Sequence, residues 1–251
     1  MIDSLIQQYA ALLEDVDHQF KYAMQKVPEI PCKTNCIECC KQLFPLSIIE
    51  AYYINEGFRQ LDNITREEIK KEALEKQEQL EKELVFTNYE ISNTDIENIA
   101  ERRNLFAHDM QAIDLDCPLL NNEGLCSLYD FRNHDCRIHG GAHESGEILG
   151  CFRHNKIFAE TSLREKFIKN TIPQNYRYKE KNKLDSVMII ALTKNPELAN
   201  IKYITTPYIP LLRNFQETDW QKLFEDKISG LTSAESPHDP TRLSLIIDTI
   251  Y

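Results

Sequence analysis

Between residues 2 and 27, Ile2, Leu5, Ile6, Tyr9, Leu12, Leu13, Val16, Phe20, Met24 and Val27 recur three or four positions apart. That is the period of an α-helix, and it predicts one long helix with a single apolar stripe. Pro28 and Pro31 stop it and deliver the chain in an extended form, because proline has no amide hydrogen and disfavours helix in the residue before it. After Pro45, Ser47-x-x-Glu50 has the spacing of a capping box and predicts a second helix through Ile48, Ile49, Tyr52, Tyr53 and Phe58. Thr65-x-x-Glu68 reads as the start of a third, running to about Leu84, with Ile69, Ala73, Leu80 and Leu84 as a narrow apolar seam. A fourth is expected from Asp95 to about Ile113, capped by Asn93 or Thr94. Helical patterns return near 156–170, 184–194, 218–228 and 240–250. No strand–helix alternation suggests a parallel sheet, so the expected fold class is mainly α.

Residues 117–155 break the periodicity. Five of the seven glycines (Gly124, Gly140, Gly141, Gly146 and Gly150) fall there, as suits irregular backbone wrapped closely around something. Asn121 to Gly124 reads as a turn between two short extended pieces, Leu119-Leu120 and Leu125 to Tyr129. The picture is a helical domain with a small, loop-rich, short-hairpin cysteine insert. Residues 1–160 form the expected cysteine-cluster domain, and 161–251 a helical region packed on the same core.

A chain of 251 residues can bury an ample core without disulfides. Its net charge of −11 argues against general binding to nucleic acid or an anionic membrane. The longest apolar run, Val187 to Leu192, is too short to span a bilayer. The opening residues carry Asp3, Glu14, Asp15 and Asp17 and no apolar leader, so a cytoplasmic location is expected. One stretch runs against the overall charge. Arg164, Lys166, Lys169, Arg177, Lys179, Lys181 and Lys183, interleaved with Phe167, Tyr176 and Tyr178, read either as a solvated basic face or as a dock for an acidic protein partner.

The candidate chemistry lies in eight cysteines. Cys32, Cys36, Cys39 and Cys40 fall within nine positions, and Cys117, Cys126, Cys136 and Cys151 begin about eighty residues later. Free thiols so close would oxidise and thiolates would repel, whereas a soft metal centre resolves both. Disulfides are the competing use of an even cysteine count, and a reducing cytoplasm disfavours them. A structural zinc usually takes two short hooks, but the later cysteines are separated by eight, nine and fourteen residues. Adjacent Cys39 and Cys40 would reach different metals, or different irons of one cluster, more readily than a single ion. An iron–sulfur cube accepts such spacing, so a four-iron, four-sulfide cluster is favoured and zinc remains open. All eight cysteines are candidate ligands. His134, His139, His143 and His154 lie among or just beyond the later four and are further candidates. Arg132, Arg137 and Arg153 would offset the charge of a thiolate centre.

Cys32-x3-Cys36-x2-Cys39 also has the spacing of radical S-adenosylmethionine enzymes. A long helix rather than a first barrel strand precedes it, and no glycine-glycine-glutamate element follows. The fuller pattern is Cys32-x3-Cys36-x2-Cys39-Cys40, then Cys117-Pro118-Leu119-Leu120, Gly124-x-Cys126-Ser127-Leu128-Tyr129, Arg132 and Cys136-Arg137. Over roughly residues 30–155 this resembles the YkgJ-like cysteine-cluster family, described as zinc- or iron-chelating proteins. Asn133 stands where that family commonly has proline. Flagellin lysine N-methylase, which looks like an iron–sulfur-dependent methyl transferase, shares a similar cysteine pattern. The resemblance implies a metal-binding protein, and with the location expected above the leading expectation is a cytoplasmic metal-binding protein. A protein lysine methyltransferase-like enzyme and a structural zinc interaction module are the alternatives.

Overall fold

The computed structural model describes residues 1–30, 36–139, 143–144, 147–148, 159–171, 175–231 and 243–248. The fold is mainly α. Helix α1 spans Ile2–Lys26 and buries Leu5, Tyr9, Leu13, Val16 and Ala23, the stripe expected from its period. Strand β1 (Leu46–Ser47) leads directly into α2 (Ile48–Gln60). Here the capping box is present: Glu50 Oε2 accepts from the Ser47 amide and from its hydroxyl, both at 2.9 Å. Helix α3 covers Asn63–Glu83, and its cap is Asp62 rather than Thr65. The Asp62 carboxylate accepts from the amides of Ile64 and Thr65 at 3.0 Å and from the Thr65 hydroxyl at 2.6 Å. Those bonds satisfy amides the helix itself leaves open, so the helix starts three residues earlier than the Thr-x-x-Glu pattern suggests. Strand β2 (Ile91–Thr94) takes Asn93 and Thr94, and α4 (Ile96–Ala112) is capped by Asp95, which accepts from the Asn98 amide at 3.0 Å.

Beyond the cysteine segment come α5 (His134–Ile138), the short strands β3 (His143–Glu144) and β4 (Glu147–Ile148), α6 (Thr161–Asn170) and α7 (Asn175–Thr193). Helix α7 begins about nine residues before the apolar pattern does. Its buried face opens with ions: Arg177, Lys181 and Asp185 stand four apart, ahead of Met188 and Ile189. A hydrophobic stripe therefore could not reveal its first half.

Strand β5 (Ile201–Thr205), α8 (Ile209–Leu212), α9 (Trp220–Leu231) and β6 (Leu243–Asp248) complete the chain. The expected helix at 240–250 is instead strand β6. It lies in a four-stranded sheet ordered β1-β5-β6-β2, parallel to β5 and antiparallel to β2, with Tyr203 opposite Ile246. Parallel strands need a crossover, and α8 and α9 supply it. Leu245, Ile246 and Ile247 are all buried. An apolar run covered on both faces has no period-two signature, which is why it resembles a helix in sequence. One hydrophobic core includes Leu5 and Leu13 of α1, Ile48 and Ile49 of α2, Phe106 of α4, Phe224 of α9 and Leu245 of β6. Among the described residues, no helix is long and apolar enough to cross a membrane.

Candidate metal centre

Cys40 lies in a 3-10 turn, Glu38–Lys41, ahead of β1, and Cys36 lies just before that turn. The Cys40 amide donates to the Ile37 carbonyl at 2.9 Å, and the Cys40 carbonyl accepts from the Cys117 amide at 2.8 Å. That second bond ties the early cysteine stretch to the late one. The chain then turns at Asn121–Gly124 as expected. Gly124 has φ +73°, a left-handed conformation that favours glycine. The Asn121 side chain accepts from Glu123 and Leu125 amides, and Leu120 pairs with Cys126 across the turn. Cys136 sits in α5. Asn133 caps this helix by accepting the Cys136 amide at 2.9 Å, a bond that proline could not make.

Aromatic and arginine contacts fix this segment against the helices. Tyr9 of α1 packs edge-on against Tyr53 of α2 at 5.3 Å, and Tyr53 meets Phe131 at 5.1 Å. The Tyr9 hydroxyl accepts the His134 amide at 3.1 Å. Arg137 donates to the carbonyls of Arg132 and Asp130, at 2.9 and 2.6 Å, and pairs with Asp17 of α1. Its guanidinium is thus a clamp between elements, not a lining group of the cysteine cavity.

Five thiols, Cys36, Cys40, Cys117, Cys126 and Cys136, line one cavity of about 130 Å³. All five are half-buried. The rest of the wall is largely apolar, with Leu43, Leu46, Ile54, Leu119, Leu128 and Phe131. Arg132 is the charged side chain on it. Its guanidinium lies 3.7 Å from the Tyr129 ring centre, and its Nε donates to the Tyr129 carbonyl at 3.0 Å. Burial pushes the Cys117 thiol up to about 12 and Cys40 up to about 11, and it raises Cys126 as well. For Cys40, the neighbouring Cys126 adds to the rise and Arg132 opposes it. These thiols stay protonated in an apolar wall, and a soft cation would displace their protons.

Of the other expected ligands, Cys32 and Cys151 lie outside the described residues, as does the side chain of Cys39. Among the described residues, no group of three or more His, Cys, Asp or Glu side chains is drawn together tightly enough to hold a single ion. The thiols are gathered around a space. His134 is fully buried away from that cavity, packed edge-on against Tyr178 at 4.9 Å, with Nδ1 3.5 Å from Asp135. His139 packs on Phe44 at 5.0 Å, and burial lowers its pKa. The His143 side chain, His154 and Arg153 lie outside the described residues.

The basic stretch at 164–183 is not simply a solvated face. Arg177 and Lys181 are buried, paired with Asp15 at 2.7 Å and Glu50 at 2.9 Å. Lys166 pairs with Glu29 at 3.6 Å and Lys183 with Glu180 at 2.6 Å.

A second, wider cleft of about 710 Å³ adjoins the cysteine cavity, and Gln42 and Phe44 line both. Its polar wall includes Arg103, Asn104, Asp135, Tyr178 and Asn182. The Tyr178 hydroxyl donates to Asp135 at 3.1 Å. Burial works against the Asp135 carboxylate, yet the adjacent His134 and the Lys181 and Arg103 cations hold it well below the usual range. Burial and Asp135 together push the Tyr178 hydroxyl upward. Sequence spacing cannot disclose this group, because its members come from α4, α5 and α7. Comparison with known proteins gave no match among family models, curated proteins or solved structures. The likeness to the YkgJ-like family therefore rests on the cysteine pattern alone.

Proposed function

We propose that this is a cytoplasmic metal-binding protein, holding an iron–sulfur cluster, with a four-iron cluster favoured, or zinc. One observation carries the reading: cysteines from two stretches about eighty residues apart face the same small cavity. Cys36, Cys40, Cys117, Cys126 and Cys136 would hold the group, with Cys32, Cys39 and Cys151 as further ligands. Thiols spread around a space, rather than converging on a point, suit a multi-iron core better than one tetrahedral ion. An iron–sulfur centre bound there would supply one-electron chemistry or a coordination site. The chain's own part is to exclude water with an apolar wall, fix the sulfurs through the Cys117–Cys40 backbone bond and the Asn133 cap, and set Arg132 against accumulated thiolate charge. A cytoplasmic setting belongs to the same proposal, since free thiols this close together persist where reductants maintain them.

Metal and acid-labile sulfide analysis of protein isolated without oxygen tests this. Iron and sulfide in a brown sample, lost in Cys40→Ala together with Cys126→Ala, are the expected result. Stoichiometric zinc in a colourless sample moves the reading to a structural zinc module. No bound metal sinks it.

The polar cleft beside the thiols favours one second reading, a methyltransferase-like enzyme in which a substrate lies against Asp135 and Tyr178. Calorimetry with S-adenosylmethionine on metal-loaded protein should then give saturable heat, and its absence removes this reading.

A further inference from the structure

The wide cleft beside the thiol cavity, of about 710 Å³, holds opposite charges that do not pair with each other. Arg103 of α4 lines it and is half-buried. Among the described residues its guanidinium makes no hydrogen bond and no ion pair, although a chain of net charge −11 is rich in carboxylates. Asp135 of α5 lies on the same wall, with its side chain 16% exposed. Its Oδ1 accepts from the Tyr178 hydroxyl at 3.1 Å and lies 3.5 Å from His134 Nδ1. Its Oδ2 has no partner among the described residues and is not sealed from solvent. Arg103 is near enough for its charge to act on Asp135, yet the two stand too far apart to bond.

The two charges narrow the ligand together. A guanidinium without a carboxylate gains from an incoming one, whose two oxygens match its fork. The open oxygen of Asp135 gains in the same way from an ammonium group. A plain anion would be repelled by Asp135, and a plain amine by Arg103 and by Lys179, which also lines the cleft. A ligand carrying both charges suits both groups. Phe44 and Ala107 add apolar surface to the same cleft.

We propose that this cleft binds a zwitterionic amino acid with an apolar side chain. The carboxylate lies on Arg103, the ammonium on Asp135 Oδ2, and the side chain against Phe44 and Ala107. The proposal rests on neither the metal nor methyl transfer, since a simple amino acid is no methyl donor and its binding is read without S-adenosylmethionine.

Titration calorimetry of the full chain with leucine, 4-methylpentanoate and 3-methylbutylamine, at fixed ionic strength, tests it. The second and third ligands are leucine without its ammonium and leucine without its carboxylate. Leucine should bind one to one, and about tenfold or more tightly than either analogue, as expected when charged hydrogen bonds are lost from one end. Arg103→Gln should weaken leucine by a similar factor, and Arg103→Lys, which keeps the charge without the fork, by less. The ligand series removes each charge without altering the chain, so the test holds even where a variant is unstable. Absent heat with leucine, equal affinity for either analogue, or unchanged affinity in Arg103→Gln overturns the proposal.

Discussion

Glu50, Lys181 and Asp185 put two negative charges and one positive charge inside the protein, and none is more than 6% exposed. Glu50 has the stronger hold on the cation, since its Oε2 accepts from Lys181 Nζ at 2.9 Å. Asp185 accepts the Ile49 amide at 3.1 Å, and burial, with Glu50 adding to it, raises its pKa. A folded-state pKa above the unfolded value of about 3.9 means the folded protein holds that proton more tightly. Its contribution to stability is therefore full at pH below the unfolded value and is lost as pH rises through the folded one. Asparagine keeps the acceptor and does not titrate. Asp185→Asn should therefore raise the melting temperature near pH 7 and gain nothing near about pH 3.5, which thermal melts across that range would show; an advantage that shrinks toward neutrality would contradict it. Lys181→Met acts in the opposite direction, leaving the buried Glu50 carboxylate without its bonded cation at a cost of about 3–5 kcal/mol. Denaturant unfolding near pH 7 measures that loss. These residues were not legible in the sequence as core, because buried charge looks the same as surface charge until its partner is known. The cysteines were legible, because their crowding calls for an explanation wherever they sit.

At the level of elements, the cysteine cavity is held by close packing between α2 and the turn Tyr129–Phe131. Gly57, in the last turn of α2, is buried against Phe131. A β-carbon there would overlap the ring's Cγ and lie 2.6 Å from Phe131 Cβ. Alanine in an exposed helix gains up to about 1 kcal/mol over glycine. Here the collision is with the base of a side chain rather than a flexible end, and overpacking of this kind costs about 1–3 kcal/mol. Gly57→Ala should therefore lower stability, and because Phe131 lines the thiol cavity it should also lower the metal bound per chain. Stability loss with unchanged metal content would detach α2 from the site. The helices whose burial follows an apolar stripe were legible, α1 and α2 above all. Strand β6 was not, because covering on both faces erases the alternation that marks a strand. Asn133 shows the reverse relation: a departure from the family-like pattern acquires a reason once it is seen to cap the helix that carries Cys136.

For the whole molecule, the decisive question is whether the metal centre makes the fold or occupies it. Many fully buried side chains, among them Leu13, Ile48, Phe106, Met110, Phe224 and Leu245, do not line the thiol cavity. The sheet draws β1 and β2 from before the cysteine turn at Asn121–Gly124 and β5 and β6 from well after it. Long-range pairing of that kind holds the chain together without any bond through sulfur. Removal of the metal should therefore leave the helices in place, unlike a zinc finger, which unfolds without its ion. A bound group still stabilises by mass action, about 2.7 kcal/mol at a hundredfold excess over its dissociation constant. For a chain of this length that corresponds to a shift on the order of 5–10 °C. Chelation under nitrogen, followed by circular dichroism, should show an unchanged helical signal at room temperature and a melting point lower by that amount. Collapse of the helical signal would make the sulfurs the scaffold of the fold, whereas an unmoved melting point would mean that no centre had been bound.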